Sequence, residues 1–144
     1  MPIPNLEALI AQTQYPGMRE PDSRVFRKWL QARGNHYDKV EFNYVLGQGT
    51  PPDPAWTDEQ KELHRRQTAK RLDCLAWVGD QPVIVEGKGR GALKDLGQIL
   101  GYRHLFVQQH PDWPEPEMLM ICDDVDADVA HVMNSEGIHI EVYG

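Results

Sequence analysis

Two acidic residues and a lysine flank one predicted β-hairpin turn. Asp73 precedes the Gly79-Asp80 dipeptide, and Glu86 and Lys88 follow it. If this dipeptide forms a two-residue turn, counting outward along both strands sets Asp73 opposite Glu86 on a non-hydrogen-bonded rung, with their Cβ atoms about 4.5 to 5.5 Å apart. Two carboxylates at that distance repel each other unless a divalent cation lies between them or one of them is protonated.

The second strand of this hairpin brings Lys88 beside the carboxylates. Side chains alternate along a strand, so Glu86 and Lys88 point to the same face. Magnesium binds one or two carboxylates together with waters and phosphate oxygens, which predicts Asp73 and Glu86, with the Gly87 carbonyl, as ligands of Mg²⁺ or Mn²⁺. A lysine beside the metal can act on the attacking water, so the group suits phosphodiester hydrolysis. An ordinary hairpin with a surface Lys and Glu pair is the structural alternative.

The elements before this hairpin are predicted from the spacing of apolar residues. A short helix is expected over residues 4–13. A stronger helix begins at an N-cap on Ser23 and stops at Gly34. Alternation then predicts a half-buried strand over residues 37–46, with one face formed by Val40, Phe42, Tyr44 and Leu46.

The rest of the chain alternates between helices and strands. Thr57 and Gln60 form a capping box at the start of a short polar helix. The elements that follow are hairpin strands over 71–78 and 81–88, a helix over 92–107, a strand over 118–122, a helix capped by Asp123 or Asp124, and a strand over 138–142. Strands joined through helices form parallel crossovers, so we expect an α/β fold with a mixed sheet and helices on both faces.

Size and composition indicate one domain over residues 1–144. The chain has 40% apolar residues, enough for a sizeable core. It has no apolar run near the roughly 20 residues of a membrane span, and its start does not resemble a signal peptide, so we expect a cytoplasmic protein with no membrane partner. Two cysteines, Cys74 and Cys122, are too few for a disulfide framework or a four-cysteine metal site.

The distribution of charge permits a nucleic-acid partner despite the net charge of −7. All 15 basic residues lie at or before Arg103, whereas residues 105–144 contain nine acids and no Lys or Arg. The stretch from Lys61 to Arg103 contains nine basic and five acidic residues, and it includes the hairpin. Cations of this stretch can contact phosphates, and we expect Arg71 and Arg90 to bind nucleic acid. An ordinary solvated charged surface is the alternative.

These motifs together resemble a known family. The order Lys70-Arg71-Leu72-Asp73, twelve residues, Glu86-Gly87-Lys88 and then Gln98-Ile99-Leu100-Gly101-Tyr102 is similar to that of the PD-(D/E)XK nuclease superfamily, in its subset with a QxxxY helix. The resemblance spans residues 23–142. It implies a restriction-endonuclease-like core in αβββαβ order, here with an additional C-terminal helix and strand.

The resemblance also implies roles for individual residues. Asp73 and Glu86 would bind the metal, Lys88 would act on the water, and Gln98 and Tyr102 would position nucleic acid. Leu72 stands where the family motif has proline, a change that many members tolerate. Some members carry a further acid on the first helix. Glu20 and Asp22 lie just before the predicted helix here, and a third metal ligand remains unassigned.

Other interpretations of the same residues remain open. The glycines from Gly87 to Gly91 suggest a phosphate loop, although the spacing matches neither a Walker loop nor a dinucleotide fingerprint. Gln98 and Tyr102, at helical spacing, can be a polar surface pair. We expect a metal-dependent nuclease acting on DNA. The alternative is a catalytically silent nucleic-acid-binding or scaffold domain. The acidic segment from Asp112 onward is a candidate interface for a second copy or a partner protein.

Overall fold

The computed structural model describes residues 2–144, which contain five α-helices and five strands. The helices are α1 (Leu6–Ile10), α2 (Asp22–Arg33), α3 (Asp58–Thr68), α4 (Leu93–Gln109) and α5 (Ala127–Ser135), with one 3₁₀ turn at Gly34–His36. The strands are β1 (Lys39–Leu46), β2 (Lys70–Val78), β3 (Gln81–Arg90), β4 (Glu117–Asp124) and β5 (Ile138–Val142). No helix among the described residues is long and apolar enough to cross a membrane.

The five strands form one mixed sheet in the spatial order β1-β2-β3-β4-β5. The first three strands pair antiparallel, and β3, β4 and β5 pair parallel. Helices α4 and α5 are the crossovers that parallel pairing requires. The predicted α/β class, the mixed sheet and the order of elements are therefore confirmed.

Helices cover both faces of the sheet. On one face, Phe26, Trp29 and Leu30 of α2 pack in a cluster with inward residues of β2, β3 and β4. On the other face, Phe106 of α4 packs with residues of β2 and β3, and Ile99 of α4 joins a cluster with α5. Each fully buried large apolar side chain contributes roughly 1.5 to 3 kcal/mol, so this layered packing fixes where the strand ends lie.

The register of the β2–β3 hairpin is the one that the turn predicts. Val78 pairs with Gln81, and the ladder continues outward to Cys74 and Val85. Gly79 adopts a φ of 58°, which a short hairpin turn favours, and its N–H donates to Asp38 Oδ2 at 2.6 Å. Both strands extend one or two residues beyond the predicted ends.

Strand β1 does not present the single buried face that alternation predicts. Val40 and Phe42 pack against the α2 cluster, whereas Tyr44 and Leu46 pack in the cluster of α4. The change occurs at Asn43, whose φ of 57° is left-handed and which lies between the paired rungs of Phe42 and Tyr44. A left-handed residue rotates the strand, so the residues after it face the opposite side.

Two predicted helix caps are wrong and one is confirmed. Helix α2 begins at Asp22, and Ser23 lies inside it, where its hydroxyl accepts the Tyr15 N–H. Helix α5 is capped by Asp126, because Asp123 and Asp124 still belong to β4. The capping box of Thr57 and Gln60 is present at the start of α3.

Candidate active site

Asp73 and Glu86 lie side by side on neighbouring strands, Asp73 as the fourth residue of β2 and Glu86 as the sixth of β3. The backbone N–H of Asp73 donates to Glu86 Oε1 at 3.2 Å, and the Gly87 N–H donates to Asp73 Oδ2 at 3.1 Å. Each carboxylate therefore accepts a hydrogen bond from the opposite strand. The predicted juxtaposition of the two acids is present, while their roles as metal ligands stay predictions.

Glu86 is buried in a way that disfavours its charge. Only 3% of this residue is exposed. Burial raises the pKa of the Glu86 carboxyl well above its ordinary value, and the neighbouring Asp73 carboxylate raises it further, against an opposing effect of Lys88. Both causes penalise a second negative charge at this point. A divalent cation between the carboxylates would remove that penalty.

Lys88 and Asp22 complete a charged group around this pair. Asp22, the first residue of α2, accepts the N–H of Gly89 at 3.2 Å. Burial raises the pKa of Asp22, Lys88 lowers it, and the Asp73 carboxylate raises it again, so the three groups interact. The structure thus brings a third acid near the site. Sequence spacing did not reveal it, because Asp22 reaches β3 only through the packing of α2 on the sheet.

Asp95 is a further buried acid that the sequence analysis missed. It is 2% exposed, and its Oδ2 accepts the N–H of Ala92 at 2.9 Å at the start of α4. Its charge contributes to the raised pKa of Asp22. An acid at the third position of a helix commonly bonds the N-cap N–H, and that signal could have placed it.

The predicted Gln98 and Tyr102 pair is brought to the site by α4. Gln98 Nε2 donates to the Tyr102 hydroxyl at 2.7 Å. Burial raises the pKa of Tyr102, and the carboxylates of Glu86 and Asp73 raise it further. The hydroxyl of Tyr102 therefore lies within the field of the carboxylate pair, and Gln98 lies exposed beside it.

The two arginines predicted to contact nucleic acid both have partners within the protein. The Arg71 guanidinium donates to the backbone carbonyls of Asn43, at 3.2 Å, and of Arg66. Arg90 forms an exposed ion pair with Asp124 at the end of β4. Arg71 thus holds β2 against β1, whereas Arg90 stays at the surface.

The glycines of this segment serve packing rather than a phosphate loop. Gly87 and Gly89 lie within β3, not in a loop. A Cβ at Gly87 would lie 2.4 Å from the Phe26 ring, and one at Gly89 would lie 2.5 Å from Pro21. The close approach at Gly87 is therefore taken by α2 on the opposite face, and the Gly87 carbonyl as a metal ligand stays a prediction.

The donor set fits a cation that needs few protein ligands. Across residues 2–144, no group of three or more His, Cys, Asp or Glu side chains is arranged to hold a metal ion. A structural zinc site normally takes four protein ligands, whereas Mg²⁺ takes one or two carboxylates and fills its shell with water and phosphate oxygens. The repelling pair of Asp73 and Glu86 matches the second case.

Solved structures share this architecture at low sequence identity. Neither a protein-family model nor a curated protein matches the chain. The EndoMS-dsDNA2 complex matches with a TM-score of 0.50 and 11% identity over 92% of this chain, and the protein of unknown function AF1548 with 0.50 and 12% over 81%. The fold is restriction-endonuclease-like.

A repair endonuclease from Pyrococcus abyssi also matches, with a TM-score of 0.45 and 13% identity over 72% of this chain. The chain spans 48%, 56% and 39% of the EndoMS, AF1548 and Pyrococcus chains, respectively. At these identities the likeness shows the fold alone. In this fold the carboxylate pair lies on two interior strands of the sheet, β2 and β3.

Proposed function

We propose that this protein is a divalent-metal-dependent nuclease that hydrolyses phosphodiester bonds of DNA. The observation that carries the proposal is the contact of half-buried Asp73 with buried Glu86, with Lys88 two residues after Glu86 on β3. Two carboxylates in contact repel each other and destabilise the metal-free fold. A divalent cation bound between them and the substrate would remove that repulsion.

The acids would hold the metal, and the lysine would act on the reacting groups. Asp73 and Glu86 would be ligands of Mg²⁺ or Mn²⁺, with the Gly87 carbonyl as a further candidate. When bound, such a cation lowers the pKa of water and polarises the phosphoryl oxygen. Lys88 would orient the attacking water or neutralise charge that develops on phosphorus.

Helix α4 would position the phosphate next to these groups. The hydrogen bond from Gln98 to the Tyr102 hydroxyl fixes that hydroxyl beside the carboxylates. The hydroxyl can then donate its own proton to a phosphate oxygen. Arg90 lies at the exposed end of β3 and forms an ion pair with Asp124. When that ion pair opens, the Arg90 guanidinium would contact a neighbouring phosphate.

DNA is the substrate that the structural likeness favours. The EndoMS complex was solved with dsDNA, and its fold matches 92% of this chain. We expect a protein with this substrate to act inside the cell. The cations between Lys61 and Arg103 would contact the DNA phosphates, although the net charge of the protein is negative.

The proposal is tested by cleavage of single-stranded, double-stranded and branched DNA with Mg²⁺ or Mn²⁺. We expect Glu86→Gln and Lys88→Ala each to slow cleavage by about 10² to 10⁴-fold. Lys39→Ala is the matched control, because Lys39 pairs with Glu41 at the hairpin-turn end of the sheet. Metal-independent cleavage, or equal rates in all variants, would contradict the proposal. DNA binding without cleavage by the wild type would support the silent-domain alternative.

A further inference from the structure

The central sheet has one protected edge and one open edge among residues 2–144. Strands β1 and β5 are its outer strands. Native proteins protect such an edge with lysines, with local distortions of the strand or with a covering element. Strand β1 carries Lys39 and the left-handed Asn43, and Leu9 of α1 packs in the same cluster as Val40. These features make β1 a poor template for a further strand.

Strand β5 lacks these protective features in the described part of the chain. Residues Ile138–Val142 include no lysine, proline or glycine, and none of them has a positive φ. Val142, an apolar residue, is 53% exposed. On the α2 side, an open depression of about 490 Å³ lies beside the strand, and His139 and Glu141 form part of its lining. A second strand can therefore approach β5.

Backbone groups at every second residue of β5 point away from the sheet. The Tyr143 N–H donates to the Cys122 carbonyl at 2.7 Å, in a parallel register that sets Cys122 opposite Val142. Because backbone direction alternates along a strand, the odd-numbered residues of β5 bond β4. The N–H and C=O groups of Ile138, Ile140 and Val142 therefore point outward. Within residues 2–144, no turn, loop or side-chain hydrogen bond reaches them.

The sequence of this edge is complementary to itself. Two copies related by a two-fold axis can pair their β5 strands antiparallel, with outward groups bonding outward groups. An axis at Ile140 pairs all five residues of β5 and sets His139 opposite Glu141 of the second copy. An axis at Glu141 would set two carboxylates opposite each other, which destabilises a pair. An axis at His139 would leave Val142 beyond the end of the other strand. The axis at Ile140 is therefore favoured.

This register matches side chains on both faces of the joined sheet. His139 and Glu141 of the second copy would occupy a non-hydrogen-bonded rung, with Cβ atoms about 4.5 to 5.5 Å apart. The His139 side chain is 71% exposed and lies 3.6 Å from Glu141 of its own strand, so its imidazole can reach both carboxylates. The Tyr143 hydroxyl donates to Glu141 and holds that carboxylate in place. On the other face, Ile138 would contact Val142 of the second copy, which removes exposed apolar surface from water.

We propose that two copies of this protein associate through antiparallel pairing of their β5 edges, which joins the two sheets into one. The interface lies within the segment from Asp112 onward that the sequence indicates as a candidate interface. One strand from each copy makes a small contact, so the dimer is transient, with a Kd on the order of 10⁻⁵ to 10⁻⁴ M. The proposal does not depend on the nuclease function, because β5 carries none of the residues of the candidate active site.

Sedimentation equilibrium of the full chain, from about 5 to about 300 µM, measures a Kd of this order. The variant His139→Glu places like charges on the two rungs that His139 shares with Glu141, whereas His139→Lys places opposite charges there. We expect the dimer Kd of His139→Glu to exceed that of His139→Lys by about threefold to thirtyfold. The matched controls are His104→Glu and His104→Lys, because His104 is exposed on α4 and the changes of net charge are the same. The two controls should differ by less than about twofold.

A proline on the open edge tests the backbone pairing. The Val142 N–H points outward, so Val142→Pro removes a group that the dimer needs and leaves the hydrogen bonds to β4 in place. We expect Val142→Pro to stay monomeric over the same concentrations, with a circular dichroism spectrum like that of the wild type. A folded Val142→Pro that dimerises as the wild type does would contradict the pairing of β5 edges.

Amide hydrogen exchange identifies the edge that is used. We expect the amides of Ile138, Ile140 and Val142 to gain protection as the protein concentration rises. The amides of His139 and Glu141, which bond β4, should be protected at every concentration. A wild type that is still monomeric at about 300 µM would overturn the proposal. So would a dimer whose outward amides stay unprotected, or a monomer in which they are already protected because another segment covers the edge.

Discussion

The backbone N–H of Asp73 donates to Glu86 Oε1 across the hairpin, while Asp73 Oδ2 accepts the Gly87 N–H of the other strand. These two bonds hold the carboxylates together where like charges would otherwise separate. The strands thus keep a repelling pair in place. The repulsion between the two carboxylates should lower the free energy of unfolding of the metal-free protein by a measurable amount.

Substitution of Glu86 by glutamine should stabilise the metal-free protein. Glutamine keeps the shape of the side chain and removes the buried charge next to Asp73. We expect a gain in the free energy of unfolding of about 0.5 to 2 kcal/mol at neutral pH, measured by urea denaturation in EDTA. Glu117→Gln, an exposed change on β4, is the control and should be neutral. A destabilised Glu86→Gln would show that the buried charge is stabilised by groups other than a metal.

The same carboxyl should make stability depend on pH. The pKa of Glu86 is raised in the folded protein, so the folded state binds more protons than the unfolded chain. The stability that protonated Glu86 contributes is fully present below the pKa that Glu86 has in the unfolded chain. It is lost as the pH rises through the pKa that Glu86 has in the folded protein. We expect wild type in EDTA to lose stability relative to Glu86→Gln as the pH rises above the ordinary titration range of a glutamate carboxyl. The pKa of Asp22 is also raised, but this group is common to both proteins. Parallel stability profiles of the two proteins would refute the expectation.

Gly87 should tolerate no side chain, in contrast to Gly97. An added Cβ at Gly87 would lie 2.4 Å from the Phe26 ring, whereas nothing lies within 4 Å of one at Gly97. We expect Gly87→Ala to destabilise by about 1 to 3 kcal/mol through overpacking. Gly97→Ala, inside α4, should be neutral or stabilising by up to about 1 kcal/mol. Thermal unfolding of both variants is the measurement, and equal effects would show that α2 does not pack on β3 in this way.

Removal of the acid that pairs with Arg90 should strengthen DNA binding. Asp124 and Arg90 form an exposed ion pair, and such pairs contribute about 0 to 1 kcal/mol. Asp124→Asn should therefore leave stability almost unchanged and lower the Kd for DNA by about twofold to fivefold. Asp80→Asn removes an equal charge at the hairpin turn and separates the local effect from net charge. A similar gain in both variants would mean that Arg90 does not contact the DNA.

The hairpin could be predicted from sequence because its turn is local. A two-residue turn determines the register, and the register places Asp73 beside Glu86. Helix α4 was predictable from its apolar spacing, and it carries Gln98 and Tyr102 to the site.

The sequence did not reveal features that depend on contacts between residues far apart in the chain. Alternation gave β1 one buried face, but the left-handed Asn43 moves Tyr44 to the other side. Asp22 reaches Gly89 across 67 residues of sequence, and no local signal indicates that contact. The role of Arg71 in contacting nucleic acid stays a prediction, although its guanidinium donates to two backbone carbonyls, which its charge alone did not indicate.

The central claim is that Asp73 and Glu86 form the protein's share of a divalent metal site. Crystals soaked in Mn²⁺ and measured for anomalous scattering test it directly. The account predicts an ion at about 2.0 to 2.3 Å from a carboxylate oxygen of each residue, with Lys88 beside it and the ion lost in Glu86→Gln. An ion bound only elsewhere on the protein, with both carboxylates vacant at saturating Mn²⁺, would contradict it.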